Sequence, residues 1–255
     1  MNKNLSILYA FVLAPAAVPI LDAVLAYNIA RQVDAASFLQ AQGTITRRRW
    51  HGMGVSSDPK FSNPRLAALY DALNGERDDL ELYLALVTRH AARSVIDIGC
   101  GTGTFACSLA RRGIDVVGID PAEASLEIAR TKPGAERVRW ILGDSAYAPA
   151  DFADLTTMTG NVAQVFLTDD EWRIALQAVR SALRPGGRIA FETRDPARRA
   201  WHRWNRVQTL RRVEIAGAGV VTAWCDVTAV DDPLVSFRWT FVFEADGATL
   251  LSDSV

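Results

Sequence analysis

The sequence predicts a doubly wound α/β fold, a parallel sheet with helices on both faces, and three observations carry that prediction. Short apolar runs alternate with helical stretches between Ser94 and Thr193. The first run hands over to the next helix through VIDIGCGTGTFA (95–106), where Gly99, Gly101 and Gly103 stand at alternate positions. At 255 residues, 49% hydrophobic and 22% charged, the chain suffices for one large domain or one domain with appendages.

The first fifty residues differ from the rest and read as an apolar N-terminal extension, residues 1–52. Asn4 to Leu21 carries no formal charge and is mostly apolar, with Pro15 and Pro19 inside it. Its length is borderline for a spanning helix of about 20 apolar residues, and Asp22 and Asn28 break the run. A span would leave Arg31 and Arg47-Arg48-Arg49 on the cytoplasmic side, giving membrane contact through residues 4–21. A docked amphipathic helix or sequence upstream of the true start are the alternatives, since Met53 begins a stretch that reads like a domain opening.

From residue 64 the pattern is regular. Pro64 opens a helix with Leu66, Leu69, Tyr70 and Leu73 on one side, and Gly75 ends it. A second helical stretch, Asp78 to His90, follows. Strands are expected at 94–98, 115–119, 138–142, 155–158 and 188–193. Between them lie Ala122–Arg130, helical, and a helix announced by the capping-box pattern Thr168-Asp169-Asp170-Glu171. Trp172, Leu176, Val179 and Leu183 continue it at helical spacing, and Pro185-Gly186-Gly187 turns the chain into the fifth strand. DPARRAWHRWNRVQTLRR (195–212) looks helical, with Arg199, Arg203 and Arg206 on one face and Trp201 and Trp204 on another. Residues 213–254 alternate as antiparallel strands, notably through Phe237, Trp239, Phe241 and Phe243. The chain thus divides into an extension (1–52), an α/β core (53–212) and an antiparallel β segment (213–255).

Composition bounds the chemistry. A formal charge of −1 gives no global attraction to nucleic acid or anionic surfaces. Cys100, Cys107 and Cys225 are odd in number and no pair has metal-ligand spacing, so they read as reduced thiols of a cytoplasmic protein and no metal is expected. In doubly wound sheets a ligand sits beyond the carboxyl ends of the strands, where strand order reverses. A glycine turn there lets backbone approach the ligand, and the helix from about Thr104 presents free N–H groups to it. A dinucleotide fingerprint needs Gly or Ala three residues after its second glycine. Here that position is Thr104.

The spacing Asp97-x-Gly99-x-Gly101-x-Gly103 instead resembles motif I of class I S-adenosylmethionine-dependent methyltransferases, whose sheet is Rossmann-like, and later segments match that family in order. Asp120-Pro121 ends the second strand, where the family places an acid on the ribose hydroxyls. Gly143-Asp144-Ser145 follows the third, where the family contacts adenine. Thr157-Met158-Thr159-Gly160 follows the fourth, at the methionine end of the cofactor, and Leu183–Gly187 matches the turn before the fifth. The resemblance covers roughly residues 64–200. It implies S-adenosyl-L-methionine as cofactor, held by Asp97, Gly99, Cys100, Gly101, Gly103, Asp120, Pro121, Asp144, Ser145, Met158 and Thr159. Asp97 would act through the loop backbone or water.

Each acid also has a structural reading: Asp120 as a cap for the next helix, Asp144 as a turn former. Methyl transfer needs alignment above all, and a base only if the acceptor must lose a proton first. The sequence names no such base, and His51, His90 and His202 read as structural or solvated. Tyr70, Glu192 and Arg194 are candidates to meet the acceptor, Tyr70 alternatively as a core aromatic. The Asn/Asp-Pro-Pro-aromatic motif of amino-methylating nucleic-acid enzymes is absent after the fourth strand, so a small-molecule acceptor is expected rather than nucleic acid. Two alternatives stand beside an active enzyme: a cofactor-binding but inactive truncated form, and an NAD(P)-dependent oxidoreductase. Relatives follow the antiparallel insertion with a final helix and a closing strand pair. Their absence here would leave the fifth strand's outer edge for the 213–254 strands to cover, or open to self-association.

Overall fold

A computed structural model of the chain describes residues 6–12 and 57–255. Among the described residues, ten strands fall into two sheets. The larger has the order β1-β6-β5-β2-β3-β4, with β1 Ser6–Val12, β2 Ser94–Ile98, β3 Asp115–Asp120, β4 Val138–Leu142, β5 Ala153–Met158 and β6 Leu183–Arg194. β2 to β6 run parallel, as the alternating pattern predicts. Strand order reverses between β2 and β5, so the glycine turn after β2 opens at the switch point.

The strands are apolar on both faces because both faces are covered. Along each strand, successive side chains alternate between two cores. Ile96, Val117, Met158, Ile189 and Phe191 share one core with Val179 and Ala182 of α7 (Asp169–Ala182). Val95, Val116, Leu155 and Ala190 share the other with Tyr83 and Val87 of α4 (Leu80–Arg89) and with Phe105 and Leu109 of α5 (Thr104–Arg111). α6 is Glu123–Thr131. The expected capping box starts α7: Thr168 Oγ1 accepts from Glu171 N–H at 3.2 Å, and Glu171 Oε2 accepts from Thr168 N–H at 3.0 Å.

The second sheet has the order β10-β9-β8-β7: β7 Arg211–Ile215, β8 Gly219–Asp231, β9 Leu234–Phe243 and β10 Thr249–Ser254, all antiparallel. It does not extend the parallel sheet. Val221, Ala223, Phe241 and Phe243 close instead over Leu66, Leu69 and Leu73. Those leucines come from the helical stretch that Pro64 opens, which resolves into α2 (Pro64–Ala67) and α3 (Tyr70–Asn74) after a short α1 (Pro59–Ser62). The C-terminal strands therefore form a roof held by the helices that precede the core.

Three expectations are corrected here. The outer edge of β6 is neither open nor covered by residues 213–254, because β1 pairs along it antiparallel, from Ser6 opposite Arg194 to Val12 opposite Arg188. Ser6–Val12, expected within a possible spanning helix, is thus extended, and an edge strand satisfies the β6 N–H and C=O groups. The rest of 4–21, with His51, Met53 and the Arg47–Arg49 run, lies outside the described residues. Among the described residues no helix is long and apolar enough to cross a membrane. Finally, 195–212 is not one helix but short turns at Pro196–Arg198 and Ala200–Arg203 followed by α8 (Arg206–Thr209). Arg199 adopts a left-handed conformation and Asn205 caps Gln208 N–H, so each breaks the helix, and the three arginines share no helical face.

Candidate functional site

The glycine turn is fastened to the end of β3. Gly99 and Cys100 donate to the Ile119 carbonyl at 2.8 and 3.1 Å. The Asp120 carboxylate accepts from Gly101 N–H at 2.7 Å and from Ala122 N–H at 2.9 Å. The Asp120 carboxylate thus holds the N–H of the residue ahead of α6 without capping the helix itself, and it lines the cavity in front of the turn. Burial raises its pKa, opposed by the two backbone N–H bonds. From the far side, Asp71 of α3 braces the same turn: it accepts from Thr102 Oγ1 at 2.7 Å and pairs with Lys132 Nζ at 2.6 Å.

The glycines divide by role. Gly101 has φ +53°, and a Cβ built there meets nothing within 4 Å. It lines the cavity, so the missing side chain leaves room for something else. Gly103, at φ +74°, does not line the cavity. Its Cβ would lie 2.6 Å from the Trp140 ring and 2.7 Å from Ala129 Cβ. That glycine serves helix-to-sheet packing, which corrects its expected place beside the ligand.

The cavity, about 880 Å³, runs from this turn to the underside of the C-terminal sheet. Of the expected site residues, Gly99, Cys100, Gly101, Asp120, Pro121, Asp144, Ser145 and Thr159 line it, as do Tyr70 and Arg194. Asp144 also accepts from Ala146 N–H at 2.8 Å, the turn-forming role weighed for it. Asp97, Met158 and Glu192 are not on the wall. Met158 is fully buried in the core. Asp97 is buried under the turn, accepting from Thr157 Oγ1 at 2.8 Å. Burial pushes its carboxyl up to about 7 against the Thr157 bond and the field of Arg77. Glu192, expected to face an acceptor, is 5% exposed and accepts from Tyr83 Oη and, at 3.0 Å, from Asn161 N–H. It positions the turn after β5, and the same contact with burial raises the Tyr83 phenol.

Sequence reasoning missed Arg77, Asn161, Lys60 and Phe237 on the wall. Arg77 makes a bidentate pair with Asp79 at 2.7 and 2.6 Å. Asn161 stands at φ +69°, and its Oδ1 is buried with no hydrogen-bond partner among the described residues. A buried orphan acceptor is costly unless a ligand donor meets it. Trp201 and Trp204 also line the cavity, drawn there by the broken turns rather than held on a helix face. No local signal marks these residues, because four separate segments meet only in the fold.

The site can therefore be tested for fit to S-adenosylmethionine. An open backbone at Gly101, an anchored carboxylate beside it and an orphan amide oxygen at Asn161 suit a ligand with hydroxyl and N–H donors. The residues fit.

Comparison with known proteins agrees. Residues 95–187 match the family model described as a methyltransferase domain. The cypemycin N-terminal methyltransferase of Streptomyces sp is 29% identical over 145 residues, 55% of this chain and 59% of that protein. A ubiquinone biosynthesis O-methyltransferase of Acinetobacter baylyi is 36% identical over 109 residues, 40% and 44% of the two chains. The chain thus spans about half the length of the curated relatives it matches. Among solved structures, the CcbJ methyltransferase from Streptomyces caelestis aligns with a TM-score of 0.57 at 24% identity, covering 77% of this chain and 80% of that one. CalS10, an amino pentose methyltransferase from Micromonospora echinaspora, aligns at 0.54 and 23%, covering 73% and 79%. Motif order, sheet order and these likenesses coincide over residues 95–187, the stretch of this chain that matches a methyltransferase domain.

Proposed function

We propose that the protein transfers a methyl group from S-adenosylmethionine to a small-molecule acceptor. The observation that carries this reading is the turn at the switch point, where the open side of Gly101 and the anchored Asp120 face one cavity. When bound, the cofactor supplies a methyl group on a sulfonium, already activated for in-line displacement.

The chain's own residues do the rest. Each Asp120 oxygen already takes one backbone N–H, which leaves lone pairs to accept from vicinal hydroxyls. Asp144 and Ser145 are assigned to the adenine end, Gly99, Gly101 and Thr159 to the amino-acid end, with Asn161 Oδ1 free to accept an N–H. Asp97 acts from beneath through Thr157, and Gly103 and Met158 keep the frame packed. Tyr70 closes one side of the cavity, its ring 5.5 Å from that of Phe61. Burial raises its phenol, which argues against Tyr70 as a base. The residues align the reactants and exclude water, which is proximity catalysis. A cytoplasmic location belongs to the same reading, supported by three free, buried thiols.

The test is turnover. Purified full-length chain, incubated with S-adenosylmethionine and a panel of small phenols, acids, amines and sugars, should release S-adenosylhomocysteine with at least one of them. Binding of the cofactor with no release across the panel would favour the inactive alternative.

A further inference from the structure

Resting on the methyltransferase reading, we propose that the acceptor carries a carboxylate on a flat apolar body and that Lys60 and Arg194 grip that carboxylate. The two cations come from segments far apart in the sequence, α1 and the end of β6, and line the same cavity. They flank one aromatic pair. Lys60 Nζ lies 5.7 Å from the Phe237 ring centre and 4.6 Å from that of Phe61. The Arg194 guanidinium carbon lies 5.1 Å from the Trp204 ring centre. Trp204 and Phe237 meet edge to face at 4.9 Å, joining the two cations through one apolar wall.

Neither cation has a carboxylate within salt-bridge reach among the described residues. Arg194 donates from Nη1 and its backbone N–H to the neutral Gln164 Oε1, at 3.0 and 3.3 Å. The nearby acids are engaged elsewhere: Asp58 takes the Ser254 hydroxyl, and Glu192 holds Tyr83 and Asn161. Burial lowers the pKa of both Lys60 and Arg194, and the field of each acid only partly restores them. Two desolvated like charges with no carboxylate in direct contact are only partly compensated until an anion joins them. A carboxylate suits the pair, since the Arg fork takes two oxygens and the ammonium a third lone pair. The Trp204–Phe237 wall then covers the body of the same molecule. A cationic acceptor would be repelled there.

The experiment is calorimetry on the full-length chain with 4-hydroxyphenylacetate and its neutral isostere 4-hydroxyphenylacetamide, alongside S-adenosylhomocysteine. The acid should bind at least about tenfold more tightly than the amide, the scale of one charge-assisted bond. Lys60→Met and Arg194→Met should each erase most of that preference while S-adenosylhomocysteine still binds. Equal affinities for acid and amide in the wild type, or no saturable binding of the acid, would overturn the proposal even if neither variant folds. Preference retained in both folded variants would overturn it too. Acid preference without S-adenosylhomocysteine binding would uphold the anion site and remove the methyltransferase reading instead.

Discussion

Replacing Gly101 by alanine puts a methyl group into the space the turn presents to the cavity. In the free protein that methyl meets no heavy atom within 4 Å, so the cost is backbone strain alone. A left-handed φ of +53° costs a non-glycine residue about 1–2 kcal/mol. For a chain of this size that is a fall in Tm of roughly 2–4 °C per kcal/mol. A ligand lying against the turn has no such room, and S-adenosylmethionine affinity should fall at least about tenfold, or 1.4 kcal/mol. Gly103→Ala is the matched control, because its Cβ would stand 2.6 Å from Trp140 and 2.7 Å from Ala129. Overpacking of about 1–3 kcal/mol adds to the same strain, so this variant should lose far more stability. Thermal melts and calorimetric titration of both proteins separate the two costs. If Gly101→Ala keeps full affinity, or if Gly103→Ala is the more stable of the two, the division of roles between these glycines is wrong.

Other outcomes follow from the same geometry. Asp97 is raised in the fold from 3.8 to about 7, so its contribution to stability is complete below pH 3.8 and lost as pH rises through about 7. At 1.36 kcal/mol per pH unit the loss reaches about 4 kcal/mol, and Asp97→Asn should flatten the unfolding free energy of the ligand-free protein between pH 4 and 8; an unchanged slope in denaturant titrations would refute the burial argument. Asp120→Ala strands the Gly101 and Ala122 N–H groups and should cost about 1–3 kcal/mol of stability as well as cofactor affinity. A 2′,3′-dideoxy cofactor analogue should then bind mutant and wild type alike, and a persistent wild-type preference would remove Asp120 from the hydroxyls. Glu192→Ala should destabilise by a similar amount through the freed Tyr83 hydroxyl and Asn161 N–H; unchanged stability with abolished turnover would return Glu192 to the acceptor. Deleting residues 1–12 uncovers the edge of β6 and should promote self-association in sedimentation, whereas a stable monomer would show that β1 is dispensable.

The parts of the fold legible in the sequence were those set by local pattern. Buried runs such as Ser94–Ile98, the capping box at Thr168 and the glycine turn announce themselves within a dozen residues. Of the cavity wall, the parts legible in the sequence are those where motif and strand end coincide, at Gly101, Asp120, Asp144 and Thr159. The wall was not legible where distant segments meet. Lys60, Arg77 and Phe237 reach the cavity only because the C-terminal sheet closes over the helices at 64–74. Glu192 misled because the carboxyl end of a strand points to a ligand only when no buried donor claims the side chain first, and Tyr83 does. The pairing of Ser6–Val12 with β6 was hidden for a related reason: an uncharged apolar run reads equally as helix or strand, and its partner lies far along the chain.

The central claim is that the cavity at the switch point takes S-adenosylmethionine. Titrating the full-length chain by calorimetry with S-adenosylmethionine and, separately, with NADH tests it most directly. Saturable binding of S-adenosylmethionine, lost in Gly101→Val, with no binding of NADH, is the result this account predicts. Saturable NADH binding, or S-adenosylmethionine heats indistinguishable from dilution in a protein that still melts cooperatively, would contradict it.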